Sequence, residues 1–408
     1  MREAARNVRL LFAARIVRMF AYGLLGVVLV LYLVERGLDD SAVGALLTCT
    51  FLGDAAISLW LSTQADRWGR RRTLLVGAAL MAVGGGLMAM TGNFWWLLLA
   101  ATIGVISPTG NEVGPFLAVE QAGLAEVVPA TQRTRAFAWY TLAGYGATAL
   151  GALLAGGLAQ LLRHFGWTAL SSYAALFWAY GALGMLIGLL IAGLSPAIEA
   201  PRSTPLPHAP TFLGLRESRG IVLRLSGLFS LDAFAGGFIV QSFLVYWFRV
   251  RFGVGEAALG AVFFGANLLS GLSSLAAVPL ARRIGLVNTM VATHLPSNLL
   301  LILVPLMPTF GWAATVLWLR HAISQMDVPT RQSYVSAVVP ATERSAANGV
   351  TGTARQLGTA IAPLCAGLMT PAWLLAGGPF FVAGGLKVIY DLALWRSFRR
   401  VRPPEERG

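Results

Sequence analysis

Apolar runs of about 20 residues, the length a helix needs to cross a bilayer, alternate with short polar stretches along the whole chain. Their hydropathy predicts twelve spans, roughly 10–34, 42–63, 74–91, 94–119, 136–161, 168–194, 221–248, 257–280, 286–307, 310–335, 346–369 and 373–395. Between the sixth and seventh, Pro196, Pro201, Pro205, Pro207 and Pro210 mark a linker. The expected fold class is an all-α integral membrane protein, with twelve transmembrane helices in two pseudo-symmetric six-helix bundles. The bundles are expected at 1–194 and 221–408, joined by a cytoplasmic linker at 195–220.

Composition agrees with the pattern: 56% of the 408 residues are hydrophobic, 12% are charged, and the mean hydropathy is +0.68. The first apolar run is too long for a cleavable signal and carries Arg15 and Arg18, so it is expected to stay as the first helix. A net charge of +13 raises the question of a polyanionic partner. The basic residues are scattered through short loops and tails, without the aromatic-basic stripe of a nucleic-acid face. With a cytoplasmic N-terminus, Arg67, Arg70, Arg71, Arg72, Arg282 and Arg283 fall inside, and only Arg36, Arg163, Arg249 and Arg251 outside. This is the positive-inside pattern, so both termini are expected in the cytoplasm. Cys49 and Cys365 lie in apolar runs and suggest neither disulfide nor zinc.

The halves repeat each other. Val128-Pro129-Ala130-Thr131-Gln132-Arg133 returns as Val339-Pro340-Ala341-Thr342-Glu343-Arg344, an offset of 340 − 129 = 211. Carried forward, it sets Thr148 on Thr359 and Gly156 on Gly367, so the fifth and eleventh spans are equivalents. Tyr32 and Tyr246 close the first and seventh spans, and Gly69 and Gly285 lie in corresponding loops. Parallel repeats of this kind are a transporter architecture with the substrate site near the midplane between them.

The loop after the second span is Asp66-Arg67-Trp68-Gly69-Arg70-Arg71-Arg72. With the twelve spans and the repeat, it resembles the major facilitator superfamily, whose signature there is Gly-x-x-x-Asp-(Arg/Lys)-x-Gly-x-(Arg/Lys)-(Arg/Lys). Asp66, Arg67, Gly69, Arg71 and Arg72 match it, and Ser62 replaces the first glycine. The second copy, Arg282-Arg283-Ile284-Gly285, has no acid. The resemblance implies a conformational latch: Asp66 against the start of the eleventh helix near 342–345, and the loop arginines against Glu120 or Glu126. Antiporters of the superfamily often carry a Gly-Pro-x-x-Gly-Gly run in the fifth span. Gly151 to Gly157 matches its glycines but not its proline, which favours export mildly.

Charges inside spans cost at least ~2.5 kcal/mol each at the centre of an isolated helix, so they mark function. Asp54, alone in the second span, is the proton-coupling candidate. The repeat sets Arg18 opposite Asp232 and Glu120 opposite Arg331, which makes both pairs candidates for interdomain ion pairs. Asp327 stands four residues before Arg331 and offers a local alternative. Arg15, Tyr22, Glu112, Arg320, His321 and Arg355 are substrate-cavity candidates, with Arg320 the one best suited to an anionic substrate or to Glu112. Lys387 and Asp391, spaced i,i+4, suggest a structural pair.

No Walker-type loop is present, and the four histidines lack metal-ligand spacing. The expectation is a secondary transporter, not an enzyme, with no cofactor or metal and the proton gradient as energy source. It would export a small organic compound by alternating access, as a monomer in a bacterial-type inner membrane, with no nucleic-acid partner. The alternatives are a carrier for small anions, and a receptor or assembly factor of the same fold that moves no solute.

Overall fold

The computed structural model describes residues 2–112, 114–129, 133–199, 215, 217–340 and 343–401. Within its helices, the side chains of 2, 62–64, 66, 67, 125, 133–135 and 344–346 lie outside that description. The described residues form sixteen α-helices and no β-strand. In the first half these are α1 (Arg2–Glu35), α2 (Asp40–Trp68), α3 (Arg70–Met90), α4 (Phe94–Ile103), α5 (Phe116–Val127), α6 (Arg133–His164) and α7 (Ala169–Ala192). The second half comprises α8 (Arg219–Gly237), α9 (Gln241–Phe252), α10 (Glu256–Ile284), α11 (Leu286–Leu303), α12 (Phe310–Ser324), α13 (Asp327–Ala337), α14 (Arg344–Gly367), α15 (Pro371–Leu375) and α16 (Gly378–Phe398). Among the described residues, eight helical stretches are long and apolar enough to cross a membrane.

Four expected spans are divided. The fourth becomes α4 and α5, the seventh α8 and α9, the tenth α12 and α13, and the twelfth α15 and α16. Residues 104–115 cause the first break, where Pro108 and the left-handed Gly110 and Gly114 (φ 68° and 79°) cannot continue a helix. Val105 also stands at φ 51°, a costly conformation for a β-branched residue. Its carbonyl accepts a hydrogen bond from the Tyr180 hydroxyl at 2.8 Å, and the Pro108 carbonyl accepts from the Ser242 amide at 3.0 Å. Non-helical backbone among membrane helices persists only where such partners satisfy it.

The chain forms two compact units: 1–204 with 240–267, and 205–239 with 268–408. In the first, α1 is the central element and packs on α6, α7 and α9. Small residues set its spacing. A Cβ added at Gly23 would lie 2.1 Å from the Thr148 carbonyl oxygen on α6, and one at Gly151 would lie 2.1 Å from that of Phe20. In the second unit, α8 packs on α14 and α16. A Cβ at Gly237 would lie 2.5 Å from the Thr359 carbonyl oxygen, and one at Gly358 would lie 2.4 Å from that of Ser230. Gly237 and Thr359 are the repeat equivalents of Gly23 and Thr148, so one close helix crossing is built twice. This is the small-residue contact by which membrane helices approach each other.

Gly23→Ala is expected to destabilise the protein by ~1–3 kcal/mol through overpacking. Gly146→Ala, on the same helix as Thr148 with open space around its Cβ, should be neutral or slightly stabilising. Thermal unfolding in detergent measures both; equal effects would remove the close-approach account.

Candidate functional site

Each unit buries one network of charged side chains. In the first, Arg15 and Arg18 lie a turn apart on α1, while Glu112 comes from the 104–115 break and Glu120 from α5. Arg15 Nη1 is 2.6 Å from Glu112 Oε2, and its Nε donates to the Tyr140 carbonyl at 2.7 Å. Arg18 bonds Glu112 Oε1 at 2.9 Å and forks onto both oxygens of Glu120 at 2.6 and 2.7 Å. The Tyr140 hydroxyl also donates to Glu120. Arg18 and Glu120 are completely buried, and the Arg18 guanidinium lies 4.4 Å from the Phe116 ring centre. Two-pronged geometry of this kind offsets the large desolvation cost of a buried pair.

Asp54 sits beside this network without entering it. The Gly114 amide, two residues past Glu112, donates to its Oδ1 at 2.5 Å, and the Ser58 hydroxyl does so at 3.4 Å. No arginine, lysine or histidine among the described residues pairs with it. Arg15 and Arg18 are balanced by Glu112 and Glu120, so Asp54 is a surplus acid beside this network.

The second network centres on Asp232 of α8. Its Oδ1 is 2.5 Å from Lys387 Nζ on α16, and its Oδ2 is 3.1 Å from Arg355 on α14 and 3.6 Å from Arg331 on α13. Arg331 bonds Asp327 at 2.8 Å, the local pairing offered by their i,i+4 spacing. His294 and Asn298 on α11 hold Asp391, each at 2.8 Å. Lys387 thus turns to Asp232, which corrects the expected Lys387–Asp391 pair: α8 supplies one carboxylate and α11 takes the other. Asp232, Asp327 and Asp391 face Lys387, Arg331, Arg355 and His294 here, and Arg320 of α12 stands outside these ion pairs. It is buried, its Nη1 is 3.3 Å from His321 Nε2, its Nε has no hydrogen-bond partner, and no described carboxylate lies at ion-pair distance. His321 Nδ1 is in turn 2.9 Å from Ser270 Oγ.

Arg18, Asp232, Glu120 and Arg331 are therefore the hubs, each engaged inside its own unit. The repeat equivalences reappear as one arrangement with inverted sign: Arg18 with Glu120, and Asp232 with Arg331. Tyr22 is fully enclosed within α1's packing, whereas Glu112 and Arg355 keep partial exposure. Asp232, His294 and Asp327 bring ligand atoms within 4.8 Å of one another, a geometry open to a metal ion. Lys387, Arg331 and Arg355 already occupy the carboxylates of that group, so a cation would have to displace them.

In the signature loop, the side chains of Asp66 and Arg67 lie outside the described residues, as do residue 342 and the side chains of 344 and 345 expected to meet Asp66. Gly69 at φ 103° turns the chain from α2 into α3. Arg70 Nη1 is 3.4 Å from Glu126, Arg71 reaches the Ala192 carbonyl at 2.5 Å, and Arg72 is exposed. Of the two acids expected for this loop, Glu120 belongs instead to Arg18. Glu199 was not foreseen. Its carboxylate accepts from the Arg70 and Arg71 amides at 2.6 and 3.2 Å, capping α3 where the helix dipole favours negative charge. Elsewhere in the first unit, Glu256 at the start of α10 gathers Arg163 at 2.6 Å and the Tyr173 hydroxyl at 2.7 Å.

Long apolar helices, buried charge networks and broken helices mark a multi-pass membrane protein. The model of the Major Facilitator Superfamily matches residues 11–324 and again 234–408, and this chain belongs to that family. It is 28% identical to an uncharacterized membrane protein of Saccharomyces cerevisiae, YJR124C, over 96% of this chain and 94% of that one. Similarity to the quinolone resistance protein NorA of Staphylococcus aureus is 28% over 40% of this chain and 38% of NorA. A bacterial homologue of the human lysosomal transporter Spinster, solved inward-facing and unoccupied, shares the fold with a TM-score of 0.75. It is 16% identical over 98% of both chains.

Arg18→Gln is expected to cost ~3–5 kcal/mol by leaving Glu120 buried and uncompensated. Adding Glu120→Gln should recover much of that loss. A double variant no more stable than Arg18→Gln, measured by thermal unfolding, would refute the coupling.

Proposed function

We propose that this protein is a proton-coupled secondary transporter that exports a small organic compound by alternating access, with Asp54 carrying the proton. The observation that carries this reading is the surplus of Asp54. Its neighbours are already neutral as a group, and its contacts are two donors with no cation. Loading a proton there removes one buried charge, and releasing it restores one, without disturbing Arg18 or Glu120. The similarity to NorA and the glycine run at 151–157 support export over uptake. The loop at 66–72 acts as the conformational latch, with Arg70 on Glu126 as its described contact. The arginine-rich loops support a topology with both termini in the cytoplasm, and the reading has the chain working as a monomer in a bacterial-type inner membrane.

Reconstituted Asp54→Asn should lose pH-gradient-driven transport, falling to the rate seen without a gradient, while counterflow at equal pH persists. Full gradient-driven transport in that variant would exclude Asp54 as the proton carrier. A chain that binds solutes yet shows no counterflow with any of them would favour a non-transporting role.

Arg320 favours a second reading, a carrier for small organic or inorganic anions. A buried guanidinium with an unpartnered Nε is a donor that an anionic substrate group would satisfy. If so, Arg320→Gln lowers affinity for an anionic substrate about tenfold or more, and affinity for its neutral amide much less. Equal losses for acid and amide would discard the anion reading.

A further inference from the structure

Arg320 and His321 stand side by side on α12 and share a contact whose direction is fixed by chemistry. Arg320 Nη1 lies 3.3 Å from His321 Nε2, and His321 Nδ1 lies 2.9 Å from Ser270 Oγ on α10. A guanidinium has donors only, so Nε2 must be the acceptor. The ring proton is therefore on Nδ1, which donates to Ser270. His321 is neutral in this arrangement, and the lone pair on its Nε2 is covered by a cation. A proton can enter there only after Arg320 has moved, because two cations would otherwise face each other at 3.3 Å.

Arg320 is incompletely held in this position. Its Nε has no hydrogen-bond partner, nor has the Ser324 hydroxyl one turn further along α12, and both residues are buried. Buried polar atoms of this kind are nearly always satisfied. The neighbouring elements offer no free acid among the described residues. On α12 itself Arg320 and His321 are the only titratable side chains, and α11, which packs on it, carries His294, engaged with Asp391 and Asp232. Asp327 and Arg331 of α13 are paired with each other. The charges of α10 sit at its two ends, at Glu256, Arg282 and Arg283. Asp232 and Asp327 act on Arg320 only through their fields, and the charge acting on His321 is Arg320.

We propose that Arg320 and His321 bind an anion and a proton together. An anionic group draws the guanidinium off Nε2, and the uncovered lone pair takes a proton from the solvent, forming one N–H bond. Anion and proton enter as a neutral pair, so the species moved equals the whole acid. This rests on the anion reading of Arg320 and extends it, since the anion brings a proton of its own, separate from the one at Asp54.

The test uses the purified full chain carrying 15N-labelled histidine, in which the His321 signals are those missing from His321→Gln. Without added anion at pH 6, the ring should be neutral with its proton on Nδ1. Chloride, acetate and benzoate are the probes, and acetamide and benzamide the neutral controls. Calorimetry in two buffers of different ionisation heat counts protons. Each anion that binds should bring about one proton at pH 6, where a freed histidine is mostly charged, and should convert the ring signal to imidazolium. The amides should bring none. In His321→Gln the count should fall to near zero, and Arg320→Gln should lower anion affinity about tenfold or more. A ring with its proton on Nε2 would overturn the proposal. So would anion binding that depends on Arg320 yet leaves the proton count near zero, a result that keeps the anion reading and removes only the coupling. Failure of all these anions to bind, or binding unchanged in Arg320→Gln, would remove both. Should Arg320→Gln fail to fold, the tautomer and the proton count of the unsubstituted chain still decide the coupling.

Discussion

A guanidinium or carboxylate held among membrane helices has no water to fall back on, so each must find its counter-charge within reach of one side chain. Arg18 and Asp232 meet this constraint from equivalent places on α1 and α8, the first by gathering acids and the second by gathering bases. Much of the architecture serves that requirement. The close crossings at Gly23 and Gly237 bring α6 and α14 near enough for Tyr140 to reach Glu120 and for Arg355 to reach Asp232. The 104–115 break carries Glu112 and the Gly114 amide to positions that a straight helix would not supply. Once these pairs are made, the remainders are informative: Asp54 beside the first network and Arg320 beside the second.

The sequence showed the hubs, and of their partners only Asp327 for Arg331. The two repeat alignments identified Arg18 with Asp232 and Glu120 with Arg331, because equivalence is a property of the chain. Which of them touch depends on helix rotation and on where spans break, and hydropathy is blind to both. Asp54 was legible as a lone acid in an apolar run, whereas its donor at Gly114 was not. The dense glycine and proline punctuation of 104–115 was a usable signal that the fourth span is interrupted. The breaks at 238–240 and 325–326 carried a sparser signal, Gly236-Gly237 before the first and Pro329 after the second, within otherwise apolar spans. Glu199 lay beyond the last span of the first half, where the pattern of spans gave no reason to look.

The sign inversion between repeats also separates conserved geometry from conserved chemistry. The glycine contacts at Thr148 and Thr359 are built alike because two helices must approach equally closely in both halves. The charged positions beside them carry opposite signs, so a shared scaffold holds two electrostatic environments of different character. A substitution tolerated at a crossing in one half should be tolerated at its equivalent, whereas tolerance at a hub does not transfer.

The distance along the chain between partners has a consequence for biogenesis. Arg15 stands 97 residues before Glu112, and Arg18 stands 102 before Glu120. At ~5–20 residues per second, the first helix emerges roughly 5–20 s before the acids that neutralise it. Asp232 waits somewhat longer for Arg355 and Lys387, roughly 6–31 s at the same rate, since they follow by 123 and 155 residues. During these intervals both helices are poor candidates for free release into lipid. Insertion of this protein therefore depends on the translocation machinery, or an insertase, retaining α1 and α8 until α5, α14 and α16 arrive, which makes the order of helix release part of the information needed to build it.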